Sequence, residues 1–332
     1  AAKYLPTLAT YSVSYEDQNR YFKAYDYQTT QDQDYINLIV DQYHTHHHAI
    51  ILSQKELVNH LKTALIARDM PGMADVDSSF FCFARHIASN HKVVLSGECA
   101  DEIFGGYPWF YKSELKEKEN FPWLLDQDLR LSLFRPEIQK LPFKAYIQNA
   151  YNQSILEAET LNESTEDQYK RKMIYLCSEW FMQTLLTRSD SQTMHASIEC
   201  RVPFASAKLM QYVYNIPWKY LYHDGHEKAL LRDAFKNELP IEILERKKNP
   251  YPKTHSPIYC DLVCNKLNEA LKDQNSILYR LFLKDQLNEL IKTKGNSFKF
   301  PWFGQLMMGP QFLAYLYQIH LWGQIYQIEL DF

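Results

Sequence analysis

Ser96, Gly97, Glu98, Asp101 and Glu102 stand together in the stretch Val93 to Tyr107, VVLSGECADEIFGGY, where a hydroxyl and three acids share one turn of chain. The whole chain has only nine glycines. Gly97, Gly105 and Gly106 lie in this one stretch, which points to close backbone approach or unusual dihedrals there. Val93, Val94 and Leu95 make a short aliphatic run of the kind that forms a buried parallel strand, and Ser96-Gly97 ends it. The acids then fall in the first turns of a helix, where negative side chains suit the positive end of the macrodipole. Two readings fit this pattern. In one, Ser96 caps the helix, the acids are solvated and Gly105-Gly106 is a C-cap. In the other, Ser96 and Gly97 sit at the carboxyl end of a strand, where α/β sheets bind ligands, with their amides facing phosphate or nucleobase. Glu98 is then a candidate general base and Asp101 a candidate magnesium ligand, because a carboxylate is the hard oxygen donor that magnesium prefers.

The elements that must position these groups alternate in type. Thr10–Tyr15 and His46–Leu52 read as strands, and 32–42, 54–68 and 80–89 as helices. With Val93–Leu95 this predicts an α/β fold with a parallel, doubly wound sheet. His44, His46, His47 and His48 do not read as a metal site: neighbours along a strand point to opposite faces, and no acid or cysteine joins them at ligand spacing. Pro71-Gly72 marks a turn, and Asp75 and Asp77 read as helix-capping acids.

Beyond Tyr107 the pattern becomes helical. The spans 133–151, 167–187 and 302–326 show apolar spacing suited to packed helices, so a mostly α-helical half is expected to pack directly on the sheet. A helix is predicted from Gly225 through Phe235, with Lys228 near its start. There a lysine opposes the dipole, and a bound phosphate would compensate it. Arg246, Lys247, Lys248 and Lys253 form a basic cluster in which Lys247 is a candidate phosphate contact; a solvated loop is the other reading for at least two of them.

Composition narrows the classes. A 332-residue chain with 46% hydrophobic residues can bury a sizeable core. A net charge of −4 gives no general reason to expect nucleic-acid or membrane-surface binding. Six cysteines show no C-x-x-C pair, which suggests reduced thiols in the cytoplasm. No apolar run approaches the ~20 residues that a membrane span needs. The opening AAKYLPTLATYSVSYE reads as a helix tail, a loop and a strand, the beginning of a fragment.

The central stretch resembles the LSGEGADExFGGY signature of the synthetase domain of glutamine-dependent asparagine synthetases, departing from it at Cys99. Ser197–Phe204 (SIECRVPF) resembles that family's S-L-E-V-R-V-P-F, and Glu227–Arg232 (EKALLR) its K-x-x-L-R. Leu239-Pro240 with Arg246-Lys247-Lys248 resembles its L-P-x-x-x-x-x-R-K-K, while 251–255 and 302–306 look like features of a bacterial branch. Ala205-Ser206 and Ser191-Gln192 replace the usual L-D and R-M.

The resemblance implies a sheet of the PP-loop ATP pyrophosphatase (adenine nucleotide alpha hydrolase-like) type in residues 1–110 and a helical part in 111–332. Glutaminase domain, first strand and pyrophosphate loop would precede Ala1, so residues 1–332 alone are expected to be inactive or nearly so. It implies ATP and Mg2+, aspartate, and ammonia delivered from a glutaminase domain, and it allows a homodimer. By the same resemblance Val13, Ser96 and Gly97 contact the nucleotide, Asp101 binds magnesium, Glu98 and Lys228 are catalytic, and Arg201 lies near the pyrophosphate. Alternatives of the same kind are a β-lactam synthetase-like enzyme or a peptide cyclase, and a non-catalytic nucleotide- or partner-binding protein.

Overall fold

The structure, a computed structural model, describes residues 1–22, 24, 30–116, 119–124, 126–303 and 307–331. Strands β1 (Ala9–Tyr15) and β2 (His46–Leu52) pair in parallel, Ala9 opposite His46 and Tyr15 opposite Leu52. Strand β3 (Val93–Leu95) pairs in parallel with β4 (Glu199–Arg201), a strand that the sequence pattern did not signal. A short antiparallel hairpin joins β5 (Tyr222–His223) to β6 (His226–Glu227). Parallel α/β pairing is therefore present. Among the described residues, however, the strands form separate two-stranded sheets, where one doubly wound sheet was expected. Ile51, Val93 and Leu95 are 64%, 40% and 61% exposed, so apolar strand faces stand open to solvent.

The helices that position the site or its supports are α1 (Gln33–Tyr43), α2 (Gln54–Asn59), α3 (Leu61–Arg68), α4 (Asp75–Ala88), α5 (Ala100–Phe104), α6 (Phe143–Glu157), α7 (Thr165–Leu176), α8 (Met182–His195), α9 (Ala229–Ala234), α10 (Pro257–Ala270) and α11 (Pro310–Tyr326). The span 54–68, read as one helix, breaks at His60, whose Nδ1 lies 2.9 Å from the Glu56 carbonyl. A π turn, Cys177–Phe181, links α7 to α8, so the rod predicted over 167–187 is real but locally widened. Helix α11 starts at Pro310, not at Trp302, since proline is pre-set for a first helical position; residues 304–306 of the C-terminal sequence feature lie outside the described residues.

Helix α4 starts earlier than the apolar pattern suggested, and the reason is tertiary. Asp75 and Asp77, read as helix-capping acids, do stand in its first turn, but both are only 1% exposed. Gln311 Nε2 donates to Asp75 at 3.2 Å and the Met73 amide to Asp77 at 2.8 Å. Ser79 Oγ bonds the Tyr15 hydroxyl at 2.9 Å and the Tyr251 hydroxyl at 3.1 Å. Polar residues that look like a turn are thus partnered inside the protein through one oxygen of each aspartate, while Asp75 Oδ1 and Asp77 Oδ1 are buried without a hydrogen-bond partner among the described residues.

One apolar core joins Leu52, Leu57 and Leu61 to Tyr259 of α10 and Leu313 of α11. A second gathers Ile103 and Phe104 of α5 with Phe110, Leu176 and Leu221. The turn between β3 and α5 depends on Cys99, buried with φ of 74°, a left-handed conformation that glycine adopts without strain. A residue with a Cβ there costs roughly 1–2 kcal/mol, so Cys99→Gly should leave the urea midpoint close to wild type, strain relief offsetting lost packing. Cys99→Val, β-branched at positive φ, should lower it clearly. Equal midpoints for the two variants would show that this turn carries no strain.

Candidate active site

Strand β3 delivers the chain to the site, and the Ser96 amide closes the end of the β3–β4 pair by donating to the Arg201 carbonyl at 2.9 Å. The Glu98 amide donates to Ser96 Oγ at 3.3 Å, a local turn that directs Glu98 and the first residues of α5 to one side. Gly106 leaves room for the Asp101 carboxylate. A Cβ there would lie 2.0 Å from Asp101 Oδ1.

Asp101 accepts from Lys228 Nζ at 2.6 Å, with Lys248 Nζ at 3.9 Å. Burial works against its charge, yet these lysines outweigh burial and hold the carboxyl below the usual carboxylate range. Glu102, one residue on, behaves oppositely. It is 1% exposed and accepts from the Tyr107 hydroxyl at 2.5 Å, and burial together with the neighbouring Asp101 pushes its carboxyl up to about 7. Adjacent acids are therefore driven apart, one fully ionised and one sharing its proton near neutrality.

Lys228 is not inside a helix as predicted. The Asp224-Gly225 turn closes the β5–β6 hairpin, and Lys228 then sits at the N-cap of α9 with φ of 57°. Its ammonium thus leaves the helix start and reaches Asp101.

Glu98 accepts from Arg188 Nη2 at 2.6 Å, the two side chains being 17% and 5% exposed. The guanidinium lies 5.7 Å from the Phe80 ring centre and 6.0 Å from that of Tyr251. Burial opposes its charge, but Glu98 and Asp77 more than offset burial and hold Arg188 protonated. Sequence reading passed over Arg188. The available signal was a cation two residues after the apolar pair Leu185-Leu186 on a helix otherwise read as core.

These groups face one cavity of about 1320 Å³. Of the residues singled out in the sequence, Ser96, Gly97, Glu98, Asp101, Lys228 and Lys247 line it. Trp109, Trp123, Trp180 and Phe181 form an aromatic part of the wall. Val13 and Arg201 stand off the wall. Val13 pairs with Ile50 in mid-strand and packs on the first core. Arg201 is exposed, its Nε donating to Glu199 at 2.7 Å. Strand alternation explains Arg201: Leu95, its partner in register, is exposed as well.

Among the described residues no group of three His, Cys, Asp or Glu side chains could hold a metal by itself. Asp101 supplies a single ionised oxygen donor, which suits an ion that arrives with a phosphate ligand, as magnesium commonly does. The histidines of β2 are engaged otherwise: the His47 ring lies 3.0 Å from both Thr10 Oγ1 and Ser12 Oγ, and His48 stacks on Tyr11 at 4.8 Å.

The proton on Glu102 gives a pH test. Its folded pKa of about 7 lies above the ordinary 4.5, so the stability it contributes is complete below about pH 4.5 and is lost as pH rises through 7. Glu102→Gln should flatten the unfolding free energy over that window, by on the order of 3 kcal/mol. Denaturant titrations of both proteins at pH 5 and pH 8 check this; parallel pH profiles would contradict it.

The sequence profile described as asparagine synthase matches residues 1–322. The chain is 45% identical over 326 residues to asparagine synthetase (glutamine-hydrolyzing) 3 of Bacillus subtilis (strain 168), covering 98% of this chain and 53% of that protein. It is 26% identical over 234 residues to asparagine synthetase (glutamine-hydrolyzing) 1 of the same organism, covering 61% of this chain and 37% of the relative. Against asparagine synthetase (glutamine-hydrolyzing) of Rattus norvegicus the identity is 24% over 212 residues, covering 62% of this chain and 29% of the relative. The chain spans about half the length of the first of these relatives and less of the others.

Proposed function

Because this chain belongs to the asparagine synthase family, we propose that it supplies the synthetase part of a glutamine-dependent enzyme that makes asparagine from aspartate, ATP and ammonia. The observation that carries this reading is that one cavity holds both an acid–lysine pair, Asp101–Lys228, and a buried acid–arginine pair, Glu98–Arg188. One suits a polyphosphate and the other suits chemistry on an acyl carbon.

In this reading the aspartate side-chain carboxylate attacks the α-phosphorus of ATP, forming the acyl–phosphate bond of β-aspartyl-AMP and releasing pyrophosphate. Ammonia then attacks the acyl carbon and AMP leaves with the bonding pair. Ser96 and Gly97 border the nucleotide. Lys228 turns from Asp101 toward the phosphates and offsets charge on the departing pyrophosphate. Asp101 would hold Mg2+, which offsets phosphate charge when bound. Glu98, kept in place by Arg188, takes a proton from the attacking nitrogen. Lys247, on the cavity wall, is a further phosphate contact. Residues 1–110 form the nucleotide-binding part, of PP-loop pyrophosphatase type, and 111–332 the helical part. Ammonia comes from a glutaminase domain in a polypeptide of the relatives' length.

The test is aspartate-dependent exchange of labelled pyrophosphate into ATP, measured in the full-length polypeptide. Exchange is expected with aspartate and not without it; none, in folded protein that binds ATP, would remove aspartate as the acyl substrate. Glu98→Gln should slow amide formation by about 10²–10⁴-fold while ATP binding stays near wild type. Unchanged amide formation would take Glu98 out of the reaction.

A further inference from the structure

The cavity contains a cation that the reading above does not use. Arg68 is the last residue of α3, and its side chain is 11% exposed on the cavity wall. Arg188, Lys228, Arg232 and Arg246, which line the same cavity, each have a hydrogen-bonded carboxylate. Among the described residues Arg68 has none. Its nearest acid oxygen, Asp77 Oδ2, is 3.8 Å from Nη1 and already accepts the Met73 amide at 2.8 Å. Nε and Nη1 of Arg68 are buried with no hydrogen-bond partner among the described residues. A guanidinium has five donors in a fixed fork, and leaving them unpaired away from water is unfavourable unless a ligand takes them up.

The local chain is built to keep Arg68 there. Gly72, in the turn between α3 and α4, has no side chain where a Cβ would stand 2.0 Å from Asp77 Oδ2 and 3.2 Å from Arg68 Nη1. Asp77 in turn interacts with Arg188, and Arg188 donates to Glu98. Charges therefore alternate from Arg68 through Asp77 and Arg188 to Glu98. An anion that meets Arg68 lies along the same row as the group that meets Glu98, and it displaces no hydrogen bond from Nε or Nη1, since Asp77 stands off at 3.8 Å.

We infer that Arg68 anchors the α-carboxylate of an amino-acid substrate, fixing which carboxyl group is presented to the nucleotide. A planar, bidentate match between guanidinium and carboxylate accounts for arginine here, since a lysine ammonium gives one point contact. This deepens the amidation reading and rests on it only for which carboxyl reacts. Arg68 is then a specificity-determining residue that touches substrate away from the reacting atoms.

Direct binding separates this inference from the activity. Calorimetry on the full-length protein, with a non-hydrolysable ATP analogue present, compares L-aspartate with 3-aminopropanoate, which keeps the reacting carboxylate and lacks the α-carboxylate. Wild type should prefer aspartate. Arg68→Lys and Arg68→Gln should weaken aspartate by about 10- to 100-fold, leave 3-aminopropanoate nearly unchanged and keep the nucleotide affinity. Gly72→Ala, by pushing Asp77 and Arg68 aside, should do the same in smaller measure. An unchanged preference in both Arg68 variants, or wild-type protein that takes up no amino acid at all, overturns the inference. Arg68-dependent binding of aspartate without pyrophosphate exchange would uphold it and sink the amidation reading alone.

Discussion

A guanidinium only 5% exposed sets the terms for the rest of this site, because burying the charge of Arg188 is costly unless carboxylates come to it. Glu98 and Asp77 do so from the two sides, one from the turn after β3 and one from the first turn of α4. Phe80 and Tyr251 cover the guanidinium faces. Arg188 therefore ties α8, α4, the β3–α5 turn and the loop at Tyr251 into one arrangement. Breaking such a buried pair from one side usually costs about 3–5 kcal/mol, which makes the geometry around Glu98 stiff.

The second charge pair is looser and differs in kind. Lys228 and Asp101 are 20% and 24% exposed, and both partners can find others in the same cavity. A phosphate group competes well for the lysine, and a cation competes for the aspartate. In the proposed adenylation, the buried pair that holds its geometry would frame the acyl group, and the open pair that can be exchanged would meet the polyphosphate. Glu102 is buried beside Asp101, and its raised pKa avoids placing two full negative charges on adjacent residues.

Left-handed backbone at Cys99 and Lys228 joins these pairs to the fold. Each stands immediately before a helix, and each swings the following helix so that a charged group reaches the cavity. Helix α5 is five residues long and α9 six, too short to stand alone, so packing in the second core holds them.

The sequence alone determined the strand–turn–helix at Val93–Tyr107, the parallel α/β character of the first part, the helical character of the second, and the cluster of Ser96, Gly97, Glu98 and Asp101. Those features are local: an aliphatic run, small residues and acids within one turn of chain leave few alternatives. Lys228 was also legible, but only through its resemblance to a known block, and its place after a hairpin rather than inside a helix was not. Tertiary structure decided the rest. Asp75 and Asp77 read as helix-capping acids and do stand in the first turn of α4, yet partners far along the chain bury Asp75, and arginines from two other helices hold Asp77. Arg188 and Arg68 looked like ordinary helix residues. Their meaning lies in which carboxylates and which cavity they meet, and such meetings depend on contacts across the chain that no local pattern records.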